Sequence, residues 1–436
     1  MDENLNDIGK LNFRQENLYL QDVSFEQNIL CLGYIKSPLV GLVSHKEARK
    51  LEKKEDATNI MVQFISLTGR IVNTFSKPVV LTTGEVAASY WSIKETGTLK
   101  HHIRISNMAK TGFSLFYGDE KKNEILLFDT RGNMIHQRTV TADAQEFQLL
   151  TSGSNVYLLT QKDVTLYRAS GNRSLEGGYT VYMYNASEPA AEYKYALTDA
   201  HGNSLKVLTF DNDPVTGRAY LAGCVINPSR YKDFLTAHDY AHNPYIGVFT
   251  LDLGNTDKDV KSTYSYWNKE AIPGIKKDGL FTDKKFYAKY HIAFKDFSGN
   301  TVFTGSAMEG KSMLGPTQYR ITDGVFVCQD GQGSLNLDNK VRGDASSWFP
   351  PFCDVVNRDN KAFYKIVDSD TKTHYVIIDD ENNIYIYNVS SKKVMRTIPH
   401  KDGNIKTQVF PAKEGHIMVS EYNKKEKSTR VSIEAL

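Results

Sequence analysis

"VQFISLTGRIVNTF" spans residues 62–75 and "ILLFDTRGNMIHQR" spans 125–138. Each is an apolar run ending near Phe, a polar turn with glycine at the same offset, and a second run with alternating apolar residues. Gly69 and Gly132 occupy equivalent places, where a tight hairpin needs a positive φ that glycine supplies without steric cost. Both stretches read as strand–turn–strand, and the question is how far the pattern extends.

It extends along most of the chain. "TVYMYNASEPAAEYKYAL" (180–197), "IGVFTLDLGNTDKDVKSTYSYW" (246–267) and "NIYIYNVSSKKVMRTI" (383–398) are hairpins of the same kind. A second kind lies between them. "FDNDPVTGRAYLAG" (210–223) and "KDFSGNTVFTG" (295–305) turn at Asp-Pro and Ser-Gly and end in G-x-x-apolar-apolar-x-G. Two hairpins per unit make four strands per unit, and units of roughly 55–70 residues give six or seven of them. This predicts an all-β fold, a single β-propeller of seven four-stranded blades, with six as the alternative. The abundance of Tyr and Phe, 25 and 21 residues, agrees with pleated, half-buried surfaces.

The ends are expected to close the ring. "GHIMVSEYNKKEKSTRVSIEAL" (415–436) supplies two strands, and an N-terminal strand from within residues 16–35 would pair with them. Residues 1–15 then form an N-terminal extension and 16–436 the propeller. One helical insertion is predicted at "PSRYKDFLTAHDYAHNP" (228–244), where Tyr231, Phe234, Leu235, His238 and His242 share a helix face. Pro228-Ser229 suits its start and Asn243-Pro244 its stop. A second insertion, "SLNLDNKVRGDASSWFPPFCDVVNR" (334–358), reads as irregular.

These hairpins resemble bacterial β-propeller proteins of unknown function, especially exported ones from Gram-negative bacteria. The Trp-Asp repeat, the paired-Gly kelch signature and a regular Asp-box are all missing, so the resemblance concerns the fold and implies no activity.

Residues 305–312, "GSAMEGKS", match G-x-x-x-x-G-K-[ST], the loop that cradles phosphates in nucleotide hydrolases. That loop needs a helix after it, and Gly315-Pro316 stops any helix within its first turn. Gly305 also holds the same place in its hairpin as Gly223. The letters are therefore assigned to the repeat, and ATP is not expected as a ligand. Likewise Asp379 and Asp380 in "YVIIDDE" (375–381) are read as opening a hairpin turn.

Two clusters stand out as ligand-binding candidates. His238 and His242 sit at i and i+4, a spacing able to grip a metal from one helix face, although the Glu of H-E-x-x-H is absent. Arg342, Asp344, Trp348 and Phe352 gather aromatics and charges in the second insertion, as sugar or peptide recognition requires. The acidic turns 211–217 and 368–373 lack the ligand spacing of a Ca²⁺ loop. No cofactor is expected, with Ca²⁺ or Zn²⁺ the exceptions to test.

Four cysteines without C-x-x-C spacing do not build a zinc site. A net charge of +2 gives no basic face for nucleic acid. No apolar run is long enough to span a membrane. The start, "MDENLNDIGK", carries no leader, so the protein is expected to be periplasmic or secreted with its leader removed, or else cytoplasmic. The functional expectation is a monomeric, non-enzymatic binding or scaffold module with a protein or carbohydrate partner. The alternative is a glycan-directed hydrolase or lyase working from the propeller funnel.

Overall fold

The computed structural model describes residues 18–36, 59–79, 103–118, 123–141, 146–161, 178–186, 188–199, 201–226, 245–269, 271–282, 286–311, 318–343 and 361–436. They form seven four-stranded antiparallel sheets, each made of consecutive strands. Blade 1 holds β1 (Leu18–Glu26), β2 (Ile29–Lys36), β3 (Asn59–Ser66) and β4 (Ile71–Pro78). Blade 2 holds β5 (Ile103–Met108), β6 (Gly112–Gly118), β7 (Asn123–Asp129) and β8 (Met134–Val140). Blade 3 holds β9 (Glu146–Ser152), β10 (Asn155–Gln161), β11 (Tyr179–Asn185) and β12 (Glu188–Leu197). Blade 4 holds β13 (Ser204–Asn212), β14 (Ala219–Ile226), β15 (Tyr245–Asp252) and β16 (Lys261–Tyr266). Blade 5 holds β17 (Phe286–Lys295), β18 (Thr301–Lys311), β19 (Gln318–Gln329) and β20 (Leu335–Val341). Blade 6 holds β21 (Ala362–Asp368), β22 (Thr373–Asp379), β23 (Asn383–Asn388) and β24 (Lys393–Pro399). Blade 7 holds β25 (Lys401–Asp402), β26 (Ile405–Pro411), β27 (His416–Asn423) and β28 (Ser428–Ala435).

The protein is a seven-bladed β-propeller. The two kinds of hairpin seen in the sequence are the two hairpins of a blade. "FDNDPVTGRAYLAG" and "KDFSGNTVFTG" join the first and second strands of blades 4 and 5, while "VQFISLTGRIVNTF" and "ILLFDTRGNMIHQR" join the third and fourth strands of blades 1 and 2.

Burial explains why the hairpins differ in hydrophobicity. The middle strands are covered on both faces by neighbouring blades: every residue of β14 is buried, as are all but the last of β6. Strands covered on both sides read as near-continuous apolar runs. The fourth strands lie at the rim, and β4 and β24 are largely exposed, with Ile71, Val72 and Met395 facing out. Apolar clusters join blade 1 to 2, 2 to 3, 3 to 4, 4 to 5, 5 to 6 and 6 to 7. Between blades 1 and 2, Phe64 packs at 5.8 Å from Phe113 and 5.2 Å from Phe128, and Phe75 meets Phe128 edge-on at 5.2 Å. Fully burying such a ring contributes about 1.5–3 kcal/mol.

Gly132 shows how a turn joins this packing. Its φ is 77°, and a β-carbon there would run into Phe64 and Asn73, so it must be glycine on both counts. Its carbonyl accepts a hydrogen bond from Asn73 at 3.0 Å, tying the turn of blade 2 to the rim of blade 1.

Two expectations are corrected. The N- and C-terminal strands do not share a blade: β1 pairs with β2 in blade 1, and β28 pairs with β27 in blade 7. The C-terminal hairpin is completed by its own neighbours β25 and β26, joined by a turn at Gly403, φ 55°. A two-residue inner strand carries too little apolar alternation to be seen in sequence. The irregular reading of 334–358 also fails at its start, since Leu335–Val341 is the rim strand of blade 5, with a bulge opposite Phe326 and Val327 breaking its alternation. The N-terminal extension and the 228–244 insertion lie outside the described residues.

Candidate functional site

The meander gives the propeller two unlike ends. Turns between first and second strands and between third and fourth strands all fall at one end, because successive antiparallel strands reverse direction. At that end the connections are short, running 66–71, 129–134, 295–301, 329–335 and 388–393. Segments from second to third strands, and from one blade to the next, leave from the other end. These include the long ones, 37–58, 79–102, 162–178, 227–244 and 342–361. Loops carry recognition on a rigid scaffold, so this end is the structural candidate for a contact surface.

One repeated device holds three turns of the short end and one connection at the other end. In "DTRGN" (129–133), "DAHGN" (199–203), "DFSGN" (296–300) and "DGQGS" (330–334) the aspartate accepts backbone N–H groups two and four residues on. In the first three its second oxygen also accepts from the Asn side chain. Gly132, Gly202, Gly299 and Gly333 all have positive φ. The second of these segments joins blades 3 and 4 rather than two strands of one blade, so the device serves both kinds of connection. Burial acts to raise the carboxyl pKa of Asp129 and Asp199, but these hydrogen bonds outweigh it and hold both below the usual carboxylate value.

The inner strands are stitched to one another by polar side chains. Asp22 of β1 accepts the N–H of Ile105 in β5 at 2.8 Å, and burial still pushes its carboxyl up. Arg104 of β5 donates to the Phe147 carbonyl in β9 at 3.1 Å. Asn212 of β13 donates to the Thr151 carbonyl at 2.8 Å, and Thr209 donates to the Ala293 carbonyl in β17 at 2.6 Å. Lys365 of β21 reaches past β17 to Asp211 of β13 at 2.5 Å, linking blades 6 and 4.

Charged groups at the foot of blades 4 and 5 are also committed. Buried Lys295 pairs with Asp213 at 3.2 Å and with Asp252, its ammonium 5.5 Å from the Tyr220 ring centre. Burial works to raise the Asp213 pKa, yet the N–H groups of Thr216 and Val215 and the Lys295 charge bring it below its usual value. His374 contrasts with this. It is 1% exposed, stacks at 5.0 Å on Phe294 and lies 5.1 Å from Phe297, and neither ring nitrogen has a hydrogen-bond partner. Burial, helped by the Lys365 charge, drives its pKa down to about 4, so the ring is neutral at pH 7.

Of the residues singled out in the sequence, Arg342 is described, exposed where β20 gives way to the 342–361 connection. The far end of that connection is fixed by an ion pair between Lys361 and Asp380, each with a side chain 1% exposed, beside Gly343. His238, His242, Asp344, Trp348 and Phe352 lie outside the described residues. Residues 305–311 of the phosphate-loop match lie within β18, which pairs with β17 as far as Glu309 and with β19 as far as Lys311. Asp380 takes part in the turn between β22 and β23, its N–H donating to Asn383.

The acidic turns use their oxygens on themselves: Asp213 accepts from Val215 and Thr216, and Asp368 from Asp370 and Thr371. Among the described residues no group of three or more His, Cys, Asp and Glu side chains gathers as metal ligands. Cys31, Cys224 and Cys328 are free, and burial raises all three thiol pKa values, keeping them protonated at neutral pH.

No protein-family model matches the sequence, and no curated protein is similar to it. Among solved structures it is similar to the β-propeller domain of the trilobed protease from Pyrococcus furiosus, at 7% identity over 96% of this chain and 95% of that one, TM-score 0.40. It is also similar to the β-propeller domain of Myceliophteria thermophila Cps50, at 11% identity, 97% and 98% coverage and TM-score 0.37. Kluyveromyces lactis Hsv2 matches at 8% identity, 96% and 98% coverage and TM-score 0.41. Likeness at such identities concerns the fold alone.

Proposed function

We propose that this propeller is a non-enzymatic binding or scaffold module that engages a protein or carbohydrate partner through the end bearing its long connections. The observation that carries this reading is the asymmetry of the two ends. One is closed by short, self-bonded turns, while the other receives every long segment, including 227–244 with His238 and His242 and 342–361 with Asp344, Trp348 and Phe352. Arg342 stands exposed at the root of the second. Lys295 and Lys365 near the inner strands are already ion-paired, which suits a rigid hub better than proton-transfer chemistry.

The envelope or secreted setting belongs to the same proposal, and it rests on the likeness of the hairpins to those of exported bacterial propellers. Among the described residues no helix is long and apolar enough to cross a membrane.

The test is capture on an oligosaccharide array and on immobilised envelope-protein fractions, comparing the native protein with H238A and W348A. Loss of capture in either variant, with unfolding curves unchanged, is expected. Equal capture by all three proteins, or turnover of a glycan on the array, overturns the reading.

A further inference from the structure

The opposite end of the propeller carries a second feature that the reading above does not use. At the foot of blade 4, Arg218, Asn255, Lys258, Asp259 and Lys261 line a cleft of about 460 Å³. This lies within the ~300–1,000 Å³ usual for small-ligand sites. All five residues are exposed, and every one is polar.

The cleft lies between two connections, 213–218 and 253–260, that hold themselves rigid. Asp213 accepts the N–H groups of Val215 and Thr216, the Gly217 N–H donates to the Asp213 carbonyl, and Ser152 of blade 3 donates to the Gly217 carbonyl at 2.5 Å. On the other side, the Tyr157 hydroxyl donates to the Gly254 carbonyl at 3.1 Å, and Asn155 donates to the Asn255 side-chain oxygen at 2.8 Å. Gly254 packs so closely on Asp259 that a β-carbon would collide with it. Thr256 donates to Asp259 Oδ2 at 2.8 Å.

Three cations thus face one cleft from fixed backbone, and among the described residues none of them is taken up by an ion pair. Of the nearby carboxylates, Asp213 and Asp252 share the single ammonium of Lys295, which balances one of their two charges. With Asp259 the only acid in the lining, the cleft carries a net charge of +2, from three cations less one anion. Arg218 offers a planar fork suited to two phosphate oxygens, and the lysines add point charges. Asp259 Oδ1 and the Asn255 amide nitrogen are left for hydroxyl groups, while no ring or aliphatic side chain is present for an apolar body.

We infer that this cleft binds a phosphorylated, hydroxyl-rich small molecule of the sugar-phosphate class, its phosphate held by Arg218, Lys258 and Lys261 and a hydroxyl accepted by Asp259. The carboxylate sets the selectivity: it repels a bare dianion and favours one that brings hydroxyls with it.

Calorimetric titration with glucose 6-phosphate tests this, with glucose and inorganic phosphate as comparators at matched ionic strength. Glucose 6-phosphate is expected to bind at least tenfold more tightly than either comparator. R218Q should weaken it at least tenfold. D259N should erase its advantage over inorganic phosphate while raising affinity for phosphate itself. R218Q and D259N lie at exposed positions, and matching unfolding curves confirm that they fold. Failure of glucose 6-phosphate to bind, equal binding of inorganic phosphate, or an R218Q variant that binds as the native protein does would each overturn the assignment. Capture through the far end is unaffected by R218Q, so the two proposals fail independently.

Discussion

The carbonyl of Lys289 points at the α-carbon of Gly305 so closely that no β-carbon fits between them, and Lys206 stands in the same relation to Gly223. In both blades the inner strand bulges at this point, between Tyr290 and Ile292 and between Val207 and Thr209. The bulge drives the inner strand's backbone into its partner, and only glycine admits it. The first glycine of the phosphate-loop match is thus required by a sheet contact.

G305A and G223A are therefore expected to destabilise the protein by about 2–4 kcal/mol each, since the obstructing atom belongs to paired backbone and cannot swing away. G299A is the control. Its φ is 84°, but nothing lies within 4 Å of a β-carbon there, so left-handed strain alone should cost about 1–2 kcal/mol. Urea unfolding of the three variants distinguishes collision from strain, and equal losses would contradict this account.

His374 gives the protein an acid-sensitive joint between blades 5 and 6. Its pKa is about 4 when folded and about 6.5 when unfolded, so the unfolded chain takes up the proton first. Stability should fall as pH drops from about 6.5 to about 4 and lose roughly 3 kcal/mol over that window from this residue. H374F keeps a flat ring against Phe294 and Phe297 and removes two unpartnered nitrogens. It should be more stable than the native protein by about 1 kcal/mol at pH 7, with the gap widening toward pH 4. Urea midpoints measured at pH 7, 5.5 and 4.5 check this, and a constant gap would remove His374 as the cause.

Lys295 joins three strands of two blades through Asp213, Asp252 and the Tyr220 ring. K295M keeps most of the side chain's unbranched length and removes its charge, leaving the buried Asp213 carboxylate to its turn amides alone. A loss of about 3–5 kcal/mol is expected at pH 7. Because Asp213 is held below its usual pKa in the native protein, part of its contribution is present at neutral pH and lost as pH falls through the acid range. The penalty for K295M should accordingly shrink at pH 4. Denaturant curves at both pH values read this, and a penalty independent of pH would assign the loss to packing.

Much of the fold was legible because a blade writes its middle strands as apolar runs and its turns as Gly-bearing pairs. Gly69, Gly132, Gly223 and Gly305 mark the repeat in sequence and are structurally demanding in the propeller. Closure was illegible: β25 is two residues long, and nothing local distinguishes it from a loop, so the N-terminal strand was the natural substitute. The polar hub was illegible for a different reason. Lys365 and Asp211 are 154 residues apart, and Lys295 lies 82 from Asp213 and 43 from Asp252, separations that no motif spans. The cleft of blade 4 combines Arg218 from one turn with Lys258 and Lys261 from another, and each alone reads as an ordinary surface cation. One signal was present and overlooked, the D-x-x-G-[NS] run at 129, 199, 296 and 330.

That run yields the last prediction. At each site the aspartate replaces water for two backbone N–H groups that the turn would otherwise leave without partners, so each Asp→Ala change should cost about 1 kcal/mol, as loss of a capping side chain does. Asp199 differs, because its Oδ2 also accepts the Tyr266 hydroxyl at 2.7 Å in a buried contact between blades 3 and 4. D199A should cost more, about 2–3 kcal/mol, and D199N should recover part of it by keeping an acceptor oxygen. D129A and D296A lie far enough apart in the ring to act independently, so the double variant should lose the sum of the two within about 0.5 kcal/mol. The depressed pKa values of Asp129 and Asp199 mean that their contribution is full above the usual carboxylate range and declines as pH falls through the lowered native values. Denaturant midpoints of the four single variants and the one double variant, at pH 7 and pH 3.5, measure all of this. A D199A cost no greater than that of D129A would show that the Tyr266 contact adds nothing to the turn.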